Sequence, residues 1–171
     1  VASSDAAKNY LIWLHQLAIT TPFSREAIDT TFTMMQAMGF AKEEAASMTD
    51  AMIRHGSVMQ LTDDLMTRTI VNFAQLKRQG RITSDELRDL AQTGFIPTGE
   101  IMADMARSLG YTTETMKDFE KAVSEGKVDI DEFFTAFINY GRNLPEEAIE
   151  RMNRSFRGFS QNFKDLIYST R

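Results

Sequence analysis

The chain is built around one stretch, Gly80-Arg81-Ile82-Thr83-Ser84-Asp85-Glu86-Leu87, which returns in recognisable form as Gly126-Lys127-Val128-Asp129-Ile130-Asp131-Glu132-Phe133. Each copy predicts the end of one helix, a tight turn and the start of the next helix. The glycine can take the left-handed conformation that ends a helix, and the apolar residue two places later can fold back against it. A capping residue then stands three places before a glutamate, which is the capping-box pattern. We call the two copies the Gly80 corner and the Gly126 corner.

The rest of the chain follows helical periodicity, and no clean alternating strand pattern appears. Caps and stops predict about eight short helices, with structural turns at the following positions: Gly39, Gly80, Ile82, Glu86, Gly94, Pro97, Gly110, Gly126, Val128 and Glu132. The third helix is predicted over residues 42–55, followed by a connection over 56–61, and Thr112 or Thr113 is predicted to cap the seventh helix. The predicted fold is therefore all-α, a compact multi-helix domain over residues 1–144 with a longer C-terminal helix.

The C-terminal helix is predicted over residues 145–171, because Pro145 fits the first position of a helix. Apolar residues are then spaced alternately three and four apart, which is the spacing of a heptad seam: Ile149, Met152, Phe156, Phe159, Phe163 and Leu166. This amphipathic helix either packs on the domain or begins a longer helical region of a parent protein. Phe156, Phe159 and Phe163 are the candidate contact seam, onto this domain or onto a partner, and self-association through this helix is one form of that contact.

Composition narrows the classes of function. The chain has 171 residues, 43% hydrophobic and 25% charged, which suits one soluble globular domain or one domain with an extension. It contains no cysteine, so disulfides and thiolate chemistry are excluded. The net charge of −5 argues against a surface dedicated to binding nucleic acid, and no apolar run has the length of a membrane span. A first residue of valine suggests a piece of a longer protein.

The sequence predicts no catalytic, cofactor-binding or metal-binding site. The two histidines lie forty residues apart, which makes a zinc site improbable, and His55 is predicted to lie in the last turn of its helix as a dipole partner. Both corners resemble the second half of a calcium-binding loop in sequence, but they lack the set of carboxylates that such a loop needs at its first ligand positions. Asp63 and Asp64 are interpreted as partners of a helix dipole, and the small basic cluster of Lys77, Arg78 and Arg81 as charges at a helix end.

Four groups of residues, in order along the chain, carry a family resemblance. The first group runs from Thr21-Pro22-Phe23-Ser24 through Met38-Gly39-Phe40 to Glu43-Glu44-Ala45. The second and third groups contain the two corners, together with Gly94-Phe95-Ile96-Pro97 and Leu109-Gly110-Tyr111-Thr112. The last is Phe156-Arg157-Gly158-Phe159-Ser160, followed by Lys164-Asp165. In this order and spacing the chain resembles the small helical domain of tail tape measure proteins of tailed phages and prophages. One departure is Gly94-Phe95-Ile96-Pro97, where many relatives have glycine, isoleucine and proline in succession.

The resemblance implies a structural protein and not an enzyme. It implies roles in tail-length determination, tail assembly and DNA ejection, with tail tube subunits and tail assembly chaperones as partners. It also implies a place in the lumen of the virion tail after assembly and in the host cytoplasm before it. No small-molecule substrate, cofactor or membrane is implied for this segment. Two other hypotheses remain from the residues themselves: a cell-wall-cleaving helical enzyme with a carboxylate pair, and a helical module that binds a partner helix in an apolar groove.

Overall fold

The computed structural model describes residues 2–92, 98–147 and 149. Within these residues the chain forms eight α-helices and two short strands, in the order α1 (Ala2–Thr20), α2 (Arg25–Ala37), α3 (Lys42–Met59), α4 (Asp63–Gln79), β1 (Arg81–Ile82), α5 (Ser84–Gln92), α6 (Thr98–Ser108), α7 (Met116–Ser124), β2 (Val128–Asp129) and α8 (Ile130–Arg142). The predicted all-α fold is confirmed. The predicted helix over 145–171 lies largely outside the described residues.

Helix α8 forms the centre of the core, because three of its phenylalanines are almost fully buried. The rings of Phe133, Phe134 and Phe137 surround Phe73 of α4 at centroid distances of 5.9, 5.6 and 5.1 Å, mostly edge to face. This geometry is the favoured arrangement of aromatic rings and adds to the free energy gained from burying their area. The corner that begins α8 therefore leads into the helix that carries the aromatic cluster of the core.

Helix α3 also packs against α8, at very short range. A Cβ atom built at Gly141 would lie 2.9 Å from the Cα atom of Ala51, a distance that real Cβ atoms do not reach. Glycine is required at residue 141 because it lets the two helix backbones approach this closely. Helix α2 lies on α3, and α1 lies on α2, where Tyr10 and Trp13 both contact the ring of Phe32.

The predicted end of the third helix at residue 55 is wrong, because α3 continues to Met59. Gly56 lies inside the helix, where the ring of Phe23 packs against it: a Cβ there would meet Phe23 Cζ at 3.1 Å. Gly56 thus serves close packing and does not end the helix. The end is provided by Gln60, which takes the left-handed conformation with φ 56°.

Two smaller differences concern local chemistry. The cap of α7 is Thr115, and not Thr112 or Thr113; the Thr115 hydroxyl instead accepts a hydrogen bond from the Thr112 backbone at 2.7 Å. The predicted caps Ser24 and Thr62 are confirmed, since their hydroxyls accept bonds from the Ala27 and Leu65 backbones at 3.1 and 3.3 Å. The strands β1 and β2 were not predicted, because two residues are too few to show an alternating pattern.

Candidate functional site

The Gly80 corner joins α4 to α5. Gly80 has φ 76° and donates its N–H to the Leu76 carbonyl at 3.0 Å, which is the simple left-handed helix end. Thr83 and Glu86 then form half of the predicted capping box: one carboxylate oxygen of Glu86 accepts from the Thr83 backbone at 2.9 Å and from its hydroxyl at 3.0 Å. Ile82 is fully buried. In a calcium loop Glu86 would be a ligand; here its carboxylate is used to start α5.

The Gly126 corner joins α7 to α8 by a different set of bonds. Gly126 has φ 67°, and the next residue, Lys127, donates its N–H back to the Ala122 carbonyl at 2.9 Å, which is a Schellman-type end. Asp129 caps α8 by accepting from the Asp131 backbone at 2.8 Å. Among the described residues, Glu132 makes no return bond to this cap, so the predicted role of Glu132 as a capping-box partner is not seen.

The two corners lie against each other, which the sequence did not predict. Their strands form an antiparallel pair in which Arg81 faces Asp129 and Ile82 faces Val128. The ladder is extended by a bond from the Ile130 N–H to the Gly80 carbonyl at 3.1 Å. The side chain of Arg81 also covers Gly126, where a Cβ would lie 3.1 Å from Arg81 Cδ. The repeated stretch is therefore one paired structural unit that ties α4–α5 to α7–α8.

The remaining predicted turn glycines divide into two groups. Gly39 and Gly110 have φ of 99° and 86°, and each lies in open space at the end of a helix. Gly94 and Pro97 lie outside the described residues, as do the seam residues Phe156, Phe159 and Phe163.

The predicted basic cluster is not one site, because Lys77 pairs with Glu44 at 3.6 Å and lies over the Phe40 ring, whereas Arg81 lies on Gly126.

Over residues 2–92, 98–147 and 149, no three His, Asp or Glu side chains are grouped so that they could hold a metal ion. No helix in the same part of the chain is long and apolar enough to cross a membrane.

His55 is buried in the contact between α3 and α8 and not in the last helical turn. Its ring stacks on Phe137 at 4.4 Å and on Tyr140 at 5.2 Å. Burial lowers the pKa of His55 to about 4, and a hydrogen bond with the Phe137 backbone opposes this shift in pKa. The predicted dipole partner is thus wrong: the imidazole is neutral at pH 7 and acts as a packed aromatic ring.

Other displaced pKa values also have structural causes. Burial is the main cause that raises the pKa of Tyr10, and the second is the Asp29 carboxylate, which accepts a hydrogen bond from the Tyr10 hydroxyl. Burial, followed by Glu100 and Asp104 of α6, raises the pKa of Tyr140. At the surface, the hydrogen bond to Glu125 raises the pKa of Lys127. The tyrosine contacts link neighbouring helices, whereas the Lys127–Glu125 contact lies within one turn.

A groove lies between α1 and α3, and we call it the α1–α3 groove. Two adjoining cavities form it and share Trp13 and Asp50. One cavity follows the first half of both helices, lined by Tyr10, Phe32 and Lys42 among others; the second follows their later half to Thr21 and Arg54. The groove exists because α1 packs on α2 and α2 on α3, so α1 and α3 flank α2.

The α1–α3 groove has aromatic side chains in its first cavity, more polar side chains in its second, and charges of both signs along its length. Asp50 and Arg54 form an ion pair at 3.0 Å, and Arg142 donates to the Ser47 hydroxyl at 3.4 Å. At the far end the groove is lined by Glu146 and Ile149. Sequence reasoning missed this site; the only tryptophan of the chain, on an amphipathic helix, was the available signal. Such a surface suits another apolar segment better than a small polar substrate.

The structure is that of an all-α domain whose two repeated turns pair with each other. A family model described as "Tape measure protein" matches residues 1–168. The chain belongs to the tape measure protein family, and it is therefore a structural component of a phage tail. The family resemblance carried by the turns is confirmed. Neither a curated protein nor a solved structure matches the chain.

Proposed function

We propose that this chain is a folded module of a tape measure protein that acts in tail assembly through protein–protein contacts. In this role it contributes to tail-length determination and to DNA ejection, with tail tube subunits and tail assembly chaperones as partners. Its place is the tail lumen after assembly and the host cytoplasm before it. The observation that carries the proposal is the family match over residues 1–168.

The surface charge of the chain supports this role. A net charge of −5 gives repulsion from DNA phosphates, which suits a protein that must share a tube with DNA and release it. The core built on α8 supports a module that is folded before it meets its partners, because the aromatic cluster around Phe73 is complete within one chain. Binding to partners would then not require this part of the protein to fold on contact.

The proposal is tested by unfolding this module within the intact phage gene. Gly141→Leu introduces a side chain where a Cβ already meets Ala51 at 2.9 Å, whereas Gly99→Leu adds the same side chain in open space. We expect Gly141→Leu phage to give few normal tails by electron microscopy, and Gly99→Leu phage to give tails of normal number and length. Circular dichroism of the isolated variants establishes that only the first is unfolded.

Two outcomes bear on the finer roles. If Gly141→Leu phage assemble tails of normal number and length and eject DNA normally, the module has no part in assembly and the proposal is wrong. Co-expression with the tail tube subunit and the tail assembly chaperone of the same phage tests the partners. We expect the wild-type chain, and not Gly141→Leu, to co-purify with at least one of them.

A second candidate function, a module that binds an apolar helix, is favoured by the α1–α3 groove. Its lining of partly buried Tyr10 and Trp13, with buried Phe32 beneath them, offers the aromatic surface that such helices contact. The occupant of this groove is the subject of the inference that follows.

A further inference from the structure

The α1–α3 groove already holds the first residue of the C-terminal seam. Ile149 is 4% exposed, and it lines the groove beside Leu17 and Thr21 at the end of α1. Its backbone N–H donates to the Pro145 carbonyl at 3.3 Å, so the chain makes one helical turn as it reaches the groove. The segment that follows residue 149 is therefore attached at the groove by a buried apolar side chain.

The sequence after Ile149 repeats the same apolar face. Met152, Phe156, Phe159 and Phe163 follow it at alternating spacings of three and four, so a continuing helix would present them on the side that carries Ile149. A side chain already buried sets the rotational phase of the helix that continues from it. The next residues of the seam would then face the surface that Ile149 contacts.

Charge also favours this occupant. Residues 150–171 contain five Lys or Arg and two Asp or Glu, a net charge of +3, whereas residues 1–149 contain fourteen and twenty-two, a net charge of −8. Opposite net charges attract the tethered segment to the domain as a whole, and its attachment at Ile149 gives the segment a high effective concentration at the groove. A separate partner would have to compete with this intramolecular contact.

We propose that the segment 150–171 of the same chain occupies the α1–α3 groove, with Met152, Phe156 and Phe159 packed toward Trp13. In this arrangement the seam covers the aromatic lining, and the Asp50–Arg54 pair lies at the rim of the contact. The groove is thus an intramolecular docking surface for the phenylalanine seam.

Trp13 makes the proposal directly measurable, because it is the only tryptophan and lines both cavities. The full chain is compared with Phe156→Ser/Phe159→Ser/Phe163→Ser. We expect the emission of Trp13 to shift to longer wavelength and its quenching by acrylamide to increase in the variant. Leu109→Ser is the matched control: it removes an apolar side chain that is 40% exposed and lies outside the groove lining, and it should leave both readings unchanged.

A second measurement covers the case in which the triple variant loses part of its fold. Because the chain has no cysteine, pairs can be introduced freely. Gln16→Cys in the groove is combined in turn with Met152→Cys, Phe156→Cys or Phe159→Cys, and oxidised at low protein concentration. We expect an intramolecular disulfide in at least one pair. Val71→Cys with Phe156→Cys is the control, since Val71 is on α4 and outside the groove lining, and it should form none.

Three results would overturn the proposal. The first is unchanged Trp13 emission and quenching together with no intramolecular disulfide in any groove pair. The second is disulfides that form only between chains and depend on concentration, which would assign the groove to a second copy. The third is equally efficient cross-linking of the Val71 control pair. Each result is independent of the phage experiment, because all measurements use the isolated full chain.

Discussion

The Gly80 corner and the Gly126 corner share a sequence pattern and differ in how they complete it. Gly80 ends its helix with a single bond and lies in open space, whereas Gly126 lies under the Arg81 side chain of the other corner. Glu86 accepts two bonds at the first corner, while Asp129 caps the second without help from Glu132. The same local pattern thus permits two different sets of bonds, and contacts from outside the corner select between them.

The helices that follow the corners differ more than the corners do. Helix α5 buries Leu87 and Leu90, whereas α8 buries six residues, among them Phe133, Phe134 and Phe137. A turn pattern determines where a helix begins, but the contribution of that helix to the free energy of unfolding depends on the apolar area that it buries. The comparison therefore predicts unequal effects for equivalent substitutions.

The largest expected effect comes from the last residue of each repeated stretch. Phe133→Ala should lower the free energy of unfolding by about 3–5 kcal/mol, and Leu87→Ala by about 2–3 kcal/mol, because the first leaves a large cavity in the aromatic cluster and the second lies at the edge of the core. Urea unfolding followed by circular dichroism measures both. A Leu87→Ala loss equal to or greater than that of Phe133→Ala would contradict the asymmetry.

An intermediate effect is the pH dependence of the free energy of unfolding, which arises where His55 packs on α8. His55 stacks on Phe137, and its pKa in the folded state, about 4, lies below the ordinary value of 6.5. Between these pH values the unfolded chain holds more protons than the folded chain, so stability falls as the pH is lowered from 6.5 to 4. The expected slope from this residue is up to about 1.4 kcal/mol per pH unit.

Substitution assigns that slope to His55. His55→Phe keeps an aromatic ring in the stack and removes the titrating group, so this part of the pH dependence should disappear from unfolding curves between pH 4 and 7. His15→Gln, which changes an exposed histidine of α1, should retain it. Equal pH dependence in the wild-type chain and in His55→Phe would show that other groups control acid unfolding.

The smallest expected effect separates the two caps. Glu86→Ala removes the acceptor of both Thr83 bonds and should cost about 1 kcal/mol, as losses of helix caps do. Glu132→Ala removes no such bond and should change the free energy of unfolding by less than about 0.5 kcal/mol. Thermal or urea unfolding at pH 7 compares them. A Glu132→Ala loss as large as that of Glu86→Ala would mean that the corners are capped alike.

Local chemistry made much of this fold predictable. Ser24 and Thr62 start helices because a short polar side chain can satisfy an unpaired backbone group, and Glu86 does the same for the Thr83 N–H. Such bonds need only neighbouring residues. Gly80 and Gly126 turn the chain for an equally local reason, since glycine alone takes positive φ without steric cost. The ordered series of such turns also carried the correct family resemblance.

What the sequence could not decide depends on groups far apart in the chain. Gly56 and Gly141 have the same side chain as the turn glycines, but here the missing Cβ admits Phe23 in one case and the α3 backbone in the other. Burial of His55 against Phe137 changed its pKa and its role. The pairing of the two corners and the groove between α1 and α3 arise in the same way. Periodicity identifies the buried face of each helix, but only tertiary packing determines which partner covers that face and which part stays open.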